Sequence, residues 1–505
     1  MLVPNRTLSL KNKKASFFRF QKIGNKYLLA NIVGNFLFLT PKEFNNFING
    51  TIKENSKLYK TLKEKGFLKD SINSLAETII QYRRKHDFLY NGPSLHIIVV
   101  SLNCNYRCVY CQASSRYYKS KERKKFDMDK ATAKKVVNTI FQSPSKAITI
   151  EFQGGEPLIN WPIIKFVVEY AEELNKKAHK DLLFTLVSNL SLMTDEIFAY
   201  CRKHQVALTT SLDGPEFLHN LNRPCPETNS YEATTKWIQK IKADEKRHPQ
   251  DVYYLNALLT VSRNSLKYPK EIIDEYLKYG FTGIHLRPLS RLGLSQKNYT
   301  TVGYSEKEFF NFWKRAVDYI LELNQKKVFF YERGIAIVLQ KIFLPYDANF
   351  MDLRSPCGAG IGQLLYNYDG KVYTCDEARM LGNDTFLLGN VKNNTYEQLM
   401  TSPKLQAVCG ASLLENTECD NCVYAPYCGV CPVSNYALYG TLRAPQITTF
   451  WCQFHKDMFE YIFDKLQDSK IENIFKTWIG LRPREGFKNI PSKTKNIFYE
   501  TKKTQ

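Results

Sequence analysis

Short apolar runs alternate with longer stretches of helical periodicity through the middle of the chain. Residues 95–101, 147–152, 182–187, 206–212, 253–261 and 283–288 read as strands, and 130–141, 161–177, 195–203, 231–243 and 267–279 as the helices between them. Six such repeats need a parallel sheet with crossover helices. The fold class is therefore α/β, a partial (β/α)6 TIM-type barrel over residues 92–305. A partial barrel leaves the C-terminal mouths of its strands open, and the loops there build a site.

The flanks have other patterns. Phe17-Phe18-Arg19-Phe20, Tyr27-Leu28-Leu29 and Phe36-Leu37-Phe38-Leu39 are strand material with turns at Gly24-Asn25 and Gly34-Asn35. Thr40 then caps a helix with Pro41 at its first position and Glu43 at its third, and a second helix runs from about Ser56 to a stop at Gly66. Strands followed by two helices give a small winged-helix-like N-terminal domain within residues 1–91, joined through a basic linker helix near 81–85. Residues 306–350 read as connecting helices, 351–455 as a cysteine-rich domain, and 456–505 as a helical, then basic tail.

Composition narrows the function. The chain has 505 residues, 44% hydrophobic, with a net charge of +22. Such a charge favours an acidic partner, but the lysines are spread along the whole chain, so the expectation is a basic solvated surface and nucleic acid is a poor fit. Met1 to Lys14 contains no apolar core of secretory type, and the apolar run 97–100 is far short of a bilayer span, so the expected setting is cytoplasmic and no membrane is involved. In a reducing compartment 13 cysteines do not form a disulfide framework. Their clustering points to metal or redox chemistry.

The first cluster is Cys104-Asn-Tyr-Arg-Cys108-Val-Tyr-Cys111, on the loop after the first barrel strand. Three soft thiolates hold three irons of a cubane and leave the fourth open to a chelating ligand. On these residues the sequence resembles the radical SAM superfamily. The resemblance implies a [4Fe-4S] cluster whose open iron chelates S-adenosylmethionine, and whose electron releases a 5′-deoxyadenosyl radical. It assigns Tyr110 to adenine, Gly154-Gly155-Glu156-Pro157 to the methionine amino group with Glu156 as its anionic acceptor, and Ser188, Asn189, Ser211 and Asp213 to further cofactor contacts.

The second set is Cys357, Cys375, Cys409, Cys419-x2-Cys422-x5-Cys428-x2-Cys431 and Cys452. It resembles the SPASM iron–sulfur extension of peptide-modifying radical SAM enzymes, which carries two auxiliary [4Fe-4S] clusters. By that analogy Cys419, Cys422, Cys428 and Cys452 hold one cluster, and Cys357, Cys375 and Cys431 the other, with Cys409 as fourth ligand or an open iron in its place. With Cys201 and Cys225 set aside, the remaining cysteines match one three-ligand and two four-ligand clusters. Resemblance to sulfatase-maturing enzymes implies that Asp376, next to Cys375, is the catalytic base. Tyr366, Tyr368 and Arg287 receive no role.

The whole-chain layout is most similar to the His-Xaa-Ser system radical SAM maturase, B-type member, through Phe17–Phe20, Phe36–Thr40, Cys409-Gly-Ala-Ser412 and Tyr427-Cys428-Gly-Val-Cys431-Pro432. The resemblance implies a precursor peptide bound through its leader by the N-terminal domain, a second radical SAM protein as partner, and an electron donor such as flavodoxin or ferredoxin. Two competing readings stand beside it. One is sulfatase maturation or thioether formation; the other is a nonenzymatic iron–sulfur carrier or zinc-dependent nucleic-acid binder.

Overall fold

Local signals decide the N-terminal unit. In the computed structural model, which describes residues 10–69, 72–248, 255–415 and 417–489, β1 (Arg19–Ile23), β2 (Lys26–Ala30) and β3 (Phe36–Leu39) form an antiparallel sheet in that order. Thr40 and Glu43 close a reciprocal capping box on the helix Pro41–Asn49, and Gly50 ends it in the left-handed region at φ 70°. Ser56 caps the helix Lys57–Glu64. The apolar faces of these elements meet at Leu29, Leu39, Phe44, Phe47, Leu62 and Phe67, a core separate from the rest. The linker helix is longer than the expected 81–85 and spans Ile72–Lys85.

The barrel follows from burial on two faces. β4 (Leu95–Ser101) is buried at every position after Leu95, because it lies in the sheet interior with helices outside and the cavity wall inside. β5 (Ala147–Gly154) alternates: Ile148, Ile150 and Phe152 pack outward, whereas Glu151 and Gln153 face the cavity. β6 (Asp181–Ser188), β7 (Val206–Ser211), β8 (Leu255–Thr260) and β9 (Leu286–Arg287) continue the parallel set. The start of the fifth expected strand, at Tyr253, lies outside the described residues, as does the basic end of the tail.

The sheet is mixed, where the alternation predicts a purely parallel one. β10 (Gln363–Tyr366) joins β4 in parallel, then β11 (Lys371–Tyr373) and β12 (Leu387–Asn390) add antiparallel, giving the order β9-β8-β7-β6-β5-β4-β10-β11-β12. The edge of β4 is thus covered by the cysteine-rich region instead of lying open. Tyr366 is fully buried in that seam, its hydroxyl 3.2 Å from Nδ1 of His96, and Tyr368 packs on Phe126. The expected sixth strand is interrupted: Gly283–Ile284 pairs instead with Tyr331–Glu332, so the connecting region is two helices, Glu306–Gln325 and Arg333–Phe343, around a strand piece. A short helix at Glu216–Asn222 was not signalled by the hydrophobic pattern. Among the described residues no helix is long and apolar enough to cross a membrane.

Candidate active site

A cavity of about 910 Å³ opens on the concave side of the barrel, with Cys104, Cys108 and Cys111 in its wall. The cysteine loop is held through its backbone. Arg107 and Val109 donate to the carbonyls of Pro224 (2.8 Å) and Asn222 (3.0 Å), Leu294 donates to that of Cys111 (2.9 Å), and the Tyr106 hydroxyl reaches the Ser230 carbonyl (3.1 Å). Burial raises the Cys104 thiol well above its ordinary range, with Cys108 adding repulsion, and pushes Cys108 up to about 12. Without a metal these are neutral thiols. Three cysteine sulfurs on one loop, none of them in a disulfide, suit a metal that takes thiolates and releases protons on binding.

The Gly-Gly-Glu-Pro loop is built against the cysteine loop through its backbone and through Glu156. A Cβ on Gly154, at φ 147°, would stand 2.0 Å from the Ser101 carbonyl oxygen, and one on Gly155 would stand 2.3 Å from that of Asn103. The glycines therefore let the loop's backbone lie against the backbone leading to Cys104. Glu156 is 1% exposed and already engaged. Its Oε1 accepts from Leu158 N–H (3.0 Å) and the Ser188 hydroxyl (2.8 Å), and its Oε2 from Asn189 N–H (2.8 Å). Burial raises Glu156 to about 7 despite those donors. It ties the loop after β5 to the loop after β6, while Asn189 holds Asn105 inside the cysteine loop (3.0 Å).

Gly154, Gly155, Glu156, Ser188, Asn189, Ser211 and Tyr110 all line the cavity with the three cysteines; Pro157 and Asp213 are not among its lining residues. Asp213 is fully buried, accepts the Tyr110 hydroxyl, and pairs with Arg223 Nε at 3.1 Å. It acts on the site by holding those two side chains. Burial opposes the charge of Arg223, but Asp213, Tyr110 and Cys108 hold its guanidinium above the ordinary value. Arg223 is the site residue that sequence reading missed. Its only signal was an acid, Asp213, ten positions earlier with no partner in view.

The cysteine-rich region adds acids to the cavity lining, Asp352, Asp376 and Glu377. Asp376 and Glu377 begin the short helix Asp376–Met380, whose preceding Cys375 sulfur accepts from Ala378 N–H at 3.4 Å. Arg287 Nη2 lies 3.7 Å from Asp352 and 3.8 Å from Glu377. Burial, then Asp376 and Asp352, push Glu377 far above the carboxylate range, and Arg287 offsets part of this. Farther along that helix Arg379, 8% exposed, donates to the carbonyl of Ala113 at 3.2 Å and so touches the cysteine loop just past Cys111. Sequence reading gave Arg287 no role and did not single out Arg379.

The other cysteines fall into two groups. Cys428 is raised by burial and then by Cys422, Cys452 and Cys419. Cys375 is raised by burial and by charges that include Cys431 and Cys357. Cys357, Cys375 and Cys431 pack with Ile97, Val99 and Leu365, whereas Cys409 packs on the main core and only burial raises its thiol. Cys201 is fully buried in a helix, and the Cys225 sulfur donates to the Asn105 carbonyl at 3.7 Å.

Comparison with known proteins agrees with this geometry. Residues 98–247 match the radical SAM superfamily and residues 357–432 an iron–sulfur cluster-binding domain, SPASM. The chain is 24% identical over 436 residues to the radical SAM cyclopropyl synthase TigE of Paramaledivibacter caminithermalis, covering 82% of each. It is 24% identical to a cysteine-type anaerobic sulfatase-maturating enzyme of Clostridium perfringens, covering 74% of this chain and 98% of that one. Its fold is similar to that of native anSMEcpe with bound AdoMet and Kp18Cys peptide, with a TM-score of 0.63 at 20% identity over 76% of this chain and all of the other. Three thiols on the cavity rim, a second cysteine-rich layer docked on the same sheet, and these matches together identify an enzyme with a radical SAM domain over residues 98–247 and a SPASM domain over residues 357–432.

Proposed function

We propose that this enzyme modifies a ribosomally made precursor peptide of His-Xaa-Ser repeat type by removing a hydrogen atom from it. The observation that carries the reading is a single cavity lined both by the thiols Cys104, Cys108 and Cys111 and by Asp376 and Glu377 beside Cys375. A four-iron cluster and S-adenosylmethionine held there supply a one-electron cleavage that yields a hydrogen-abstracting radical. The protein's own residues do the rest. Tyr110, fixed by Asp213, offers an aromatic face, and the Arg223 guanidinium, 5.4 Å from the Tyr110 ring centre, lines the same cavity and is suited to a carboxylate. Gly154 and Gly155 keep the loop backbone close enough to form the wall.

Asp376 is suited to take a proton from the substrate, and burial of the surrounding wall keeps bulk water from the reacting atoms. Cys419, Cys422, Cys428 and Cys452 would hold one auxiliary cluster and Cys357, Cys375 and Cys431 another, and such clusters would supply one-electron chemistry. The N-terminal sheet β1-β2-β3 suits capture of a leader peptide as an added strand, which concentrates the core peptide at the cavity. A second radical SAM protein, and flavodoxin or ferredoxin as electron donor, complete the expected cytoplasmic system.

The test is anaerobic reconstitution with iron, sulfide and reductant, followed by addition of S-adenosylmethionine and a His-Xaa-Ser precursor. We expect 5′-deoxyadenosine and a change in peptide mass. Deoxyadenosine without any change in that peptide, together with modification of a sulfatase-derived peptide, would move the substrate to the sulfatase class.

A further inference from the structure

Outside the cavity, the surface beside the cysteine loop is far more cationic than the chain as a whole. Residues 116–125, Arg116-Tyr-Tyr-Lys-Ser-Lys-Glu-Arg-Lys-Lys125, carry six cations against one acid, whereas Lys and Arg make up 71 of the 505 residues overall. None of these ten residues lines the cavity, and 119–125 are all exposed.

Backbone bonds tie this segment to the first cysteine cluster. Arg116–Tyr117 pairs in parallel with Asn103–Cys104, Tyr118 N–H donates to the Cys104 carbonyl at 3.2 Å, and the Asn103 side-chain amide donates to the Arg123 carbonyl at 2.9 Å. Glu227 holds the segment in place, accepting the Tyr117 and Tyr118 hydroxyls at 3.1 and 2.5 Å and pairing with Lys119. Arg107, exposed within the cysteine loop, lies 4.4 Å over the Tyr117 ring and carries the cationic surface in between Cys104 and Cys108.

Nearby acids leave much of this charge uncompensated. Glu227 takes Lys119, Glu122 takes Lys125, and Asp127 lies 3.8 Å from Arg123. Among the described residues Arg107, Lys121 and Lys124 pair with no acid. Such a surface attracts an acidic partner over a distance and raises its rate of encounter. Position selects the kind of partner. Substrate occupies the concave side, so an electron donor reaches Cys104, Cys108 and Cys111 from outside, through the segment bonded to their loop. Electron-transfer encounters are small, weak and governed by charge more than by apolar area. Residues 119–125, without one apolar side chain, suit that class.

We propose that Arg107 and residues 116–125 form the docking surface for a small acidic one-electron carrier protein, which reduces the centre at Cys104, Cys108 and Cys111 from outside the barrel. The assignment rests on the reading that those cysteines hold a redox-active cluster. With a flavodoxin as carrier, one electron leaves the flavin hydroquinone, which becomes the semiquinone, and enters the cluster. No proton crosses the interface.

The experiment uses the full-length reconstituted enzyme and flavodoxin. Binding is read by calorimetric titration at low and high salt and by carbodiimide cross-linking with peptide mapping; 5′-deoxyadenosine is measured separately with flavodoxin hydroquinone and with dithionite as reductant. In the parent, cross-links should map to Lys121 and Lys124. Lys121→Glu with Lys124→Glu should weaken flavodoxin binding by about tenfold or more at low salt, with the gap closing as salt rises. Flavodoxin-driven cleavage should slow, while dithionite-driven cleavage keeps the parent's rate. Lys176→Glu with Lys177→Glu, the same charge change in the last turn of the helix Trp161–Ala178, should leave binding and both rates unchanged. Equal weakening by the two double variants, parent affinity in Lys121→Glu with Lys124→Glu, or no measurable binding to the parent overturns the docking site. So does a raised KM for the precursor peptide with flavodoxin binding unaltered, which would give the segment to the peptide. Failure of the parent to form 5′-deoxyadenosine even with dithionite would instead defeat the underlying reading.

Discussion

Glu156 shows how much one buried side chain does here. Three donors converge on it, yet burial still holds it at about 7 against an ordinary 4.5. Below pH 4.5 the folded and unfolded states both carry the proton. Between pH 4.5 and 7 the unfolded chain ionises first, so stability falls with rising pH, by roughly 3 kcal/mol for this group. Urea unfolding of the metal-free protein across that range should show this fall, and Glu156→Gln should remove it while setting an amide N–H against the Asn189 N–H. At the cysteines, replacing Cys104, Cys108 and Cys111 together by Ala should abolish formation of 5′-deoxyadenosine and leave the absorbance of the auxiliary clusters. Asp376→Asn should keep that cleavage but lower peptide modification by about tenfold or more, the scale of a lost general base.

At the scale of elements, two close contacts set the geometry. The first is backbone on backbone: Gly155 N–H donates to the Ser101 carbonyl at 2.9 Å and Glu156 N–H to that of Asn103 at 2.8 Å. A methyl group at Gly154 has no space and an unfavourable φ, so Gly154→Ala should push the loop off the cysteine segment. Calorimetric titration should then show at least tenfold weaker binding of S-adenosylmethionine. The second contact is the helix Asp376–Met380, which carries Cys375 at its cap, two acids in the cavity and Arg379 against Ala113. Arg379→Gln removes a buried cation from the cysteine loop. Faster hydrogen exchange in residues 112–118, with the rest of the barrel unchanged, is the expected result.

At the scale of the whole molecule, the SPASM hairpin and the barrel share one sheet, so the auxiliary region does not hang as a separate module. His96 in β4 meets Tyr366 in β10, and burial lowers His96 to about 3. The helices Phe450–Lys465 and Ser469–Trp478 close the other side: the indole of Trp478 donates to Asn324 in the connecting helix at 3.2 Å, and Tyr424 and Tyr427 pack on Phe463. The metal sites lie inside this continuous packing. A ligand that binds only the folded state raises its stability, so chelation of iron should lower the melting temperature of the entire chain in one cooperative transition. Two separated transitions in calorimetry would show that the cysteine-rich region melts alone.

The sequence by itself determined the clustering of the cysteines and the β/α alternation of the barrel region. Cys104, Cys108 and Cys111 are close along the chain, and the β/α alternation is a local periodicity, so neither needs a folded structure to be legible. Likewise Thr40, Pro41 and Glu43 specify a helix start within four residues. What the tertiary structure decided are relations between distant segments. Arg223 finds Asp213, Arg287 finds Asp352 and Glu377, β10 finds β4, and Glu156 spends its carboxylate on a neighbouring loop. Charge pairing, sheet edges and burial are properties of the space between elements, and no spacing rule along the chain encodes them.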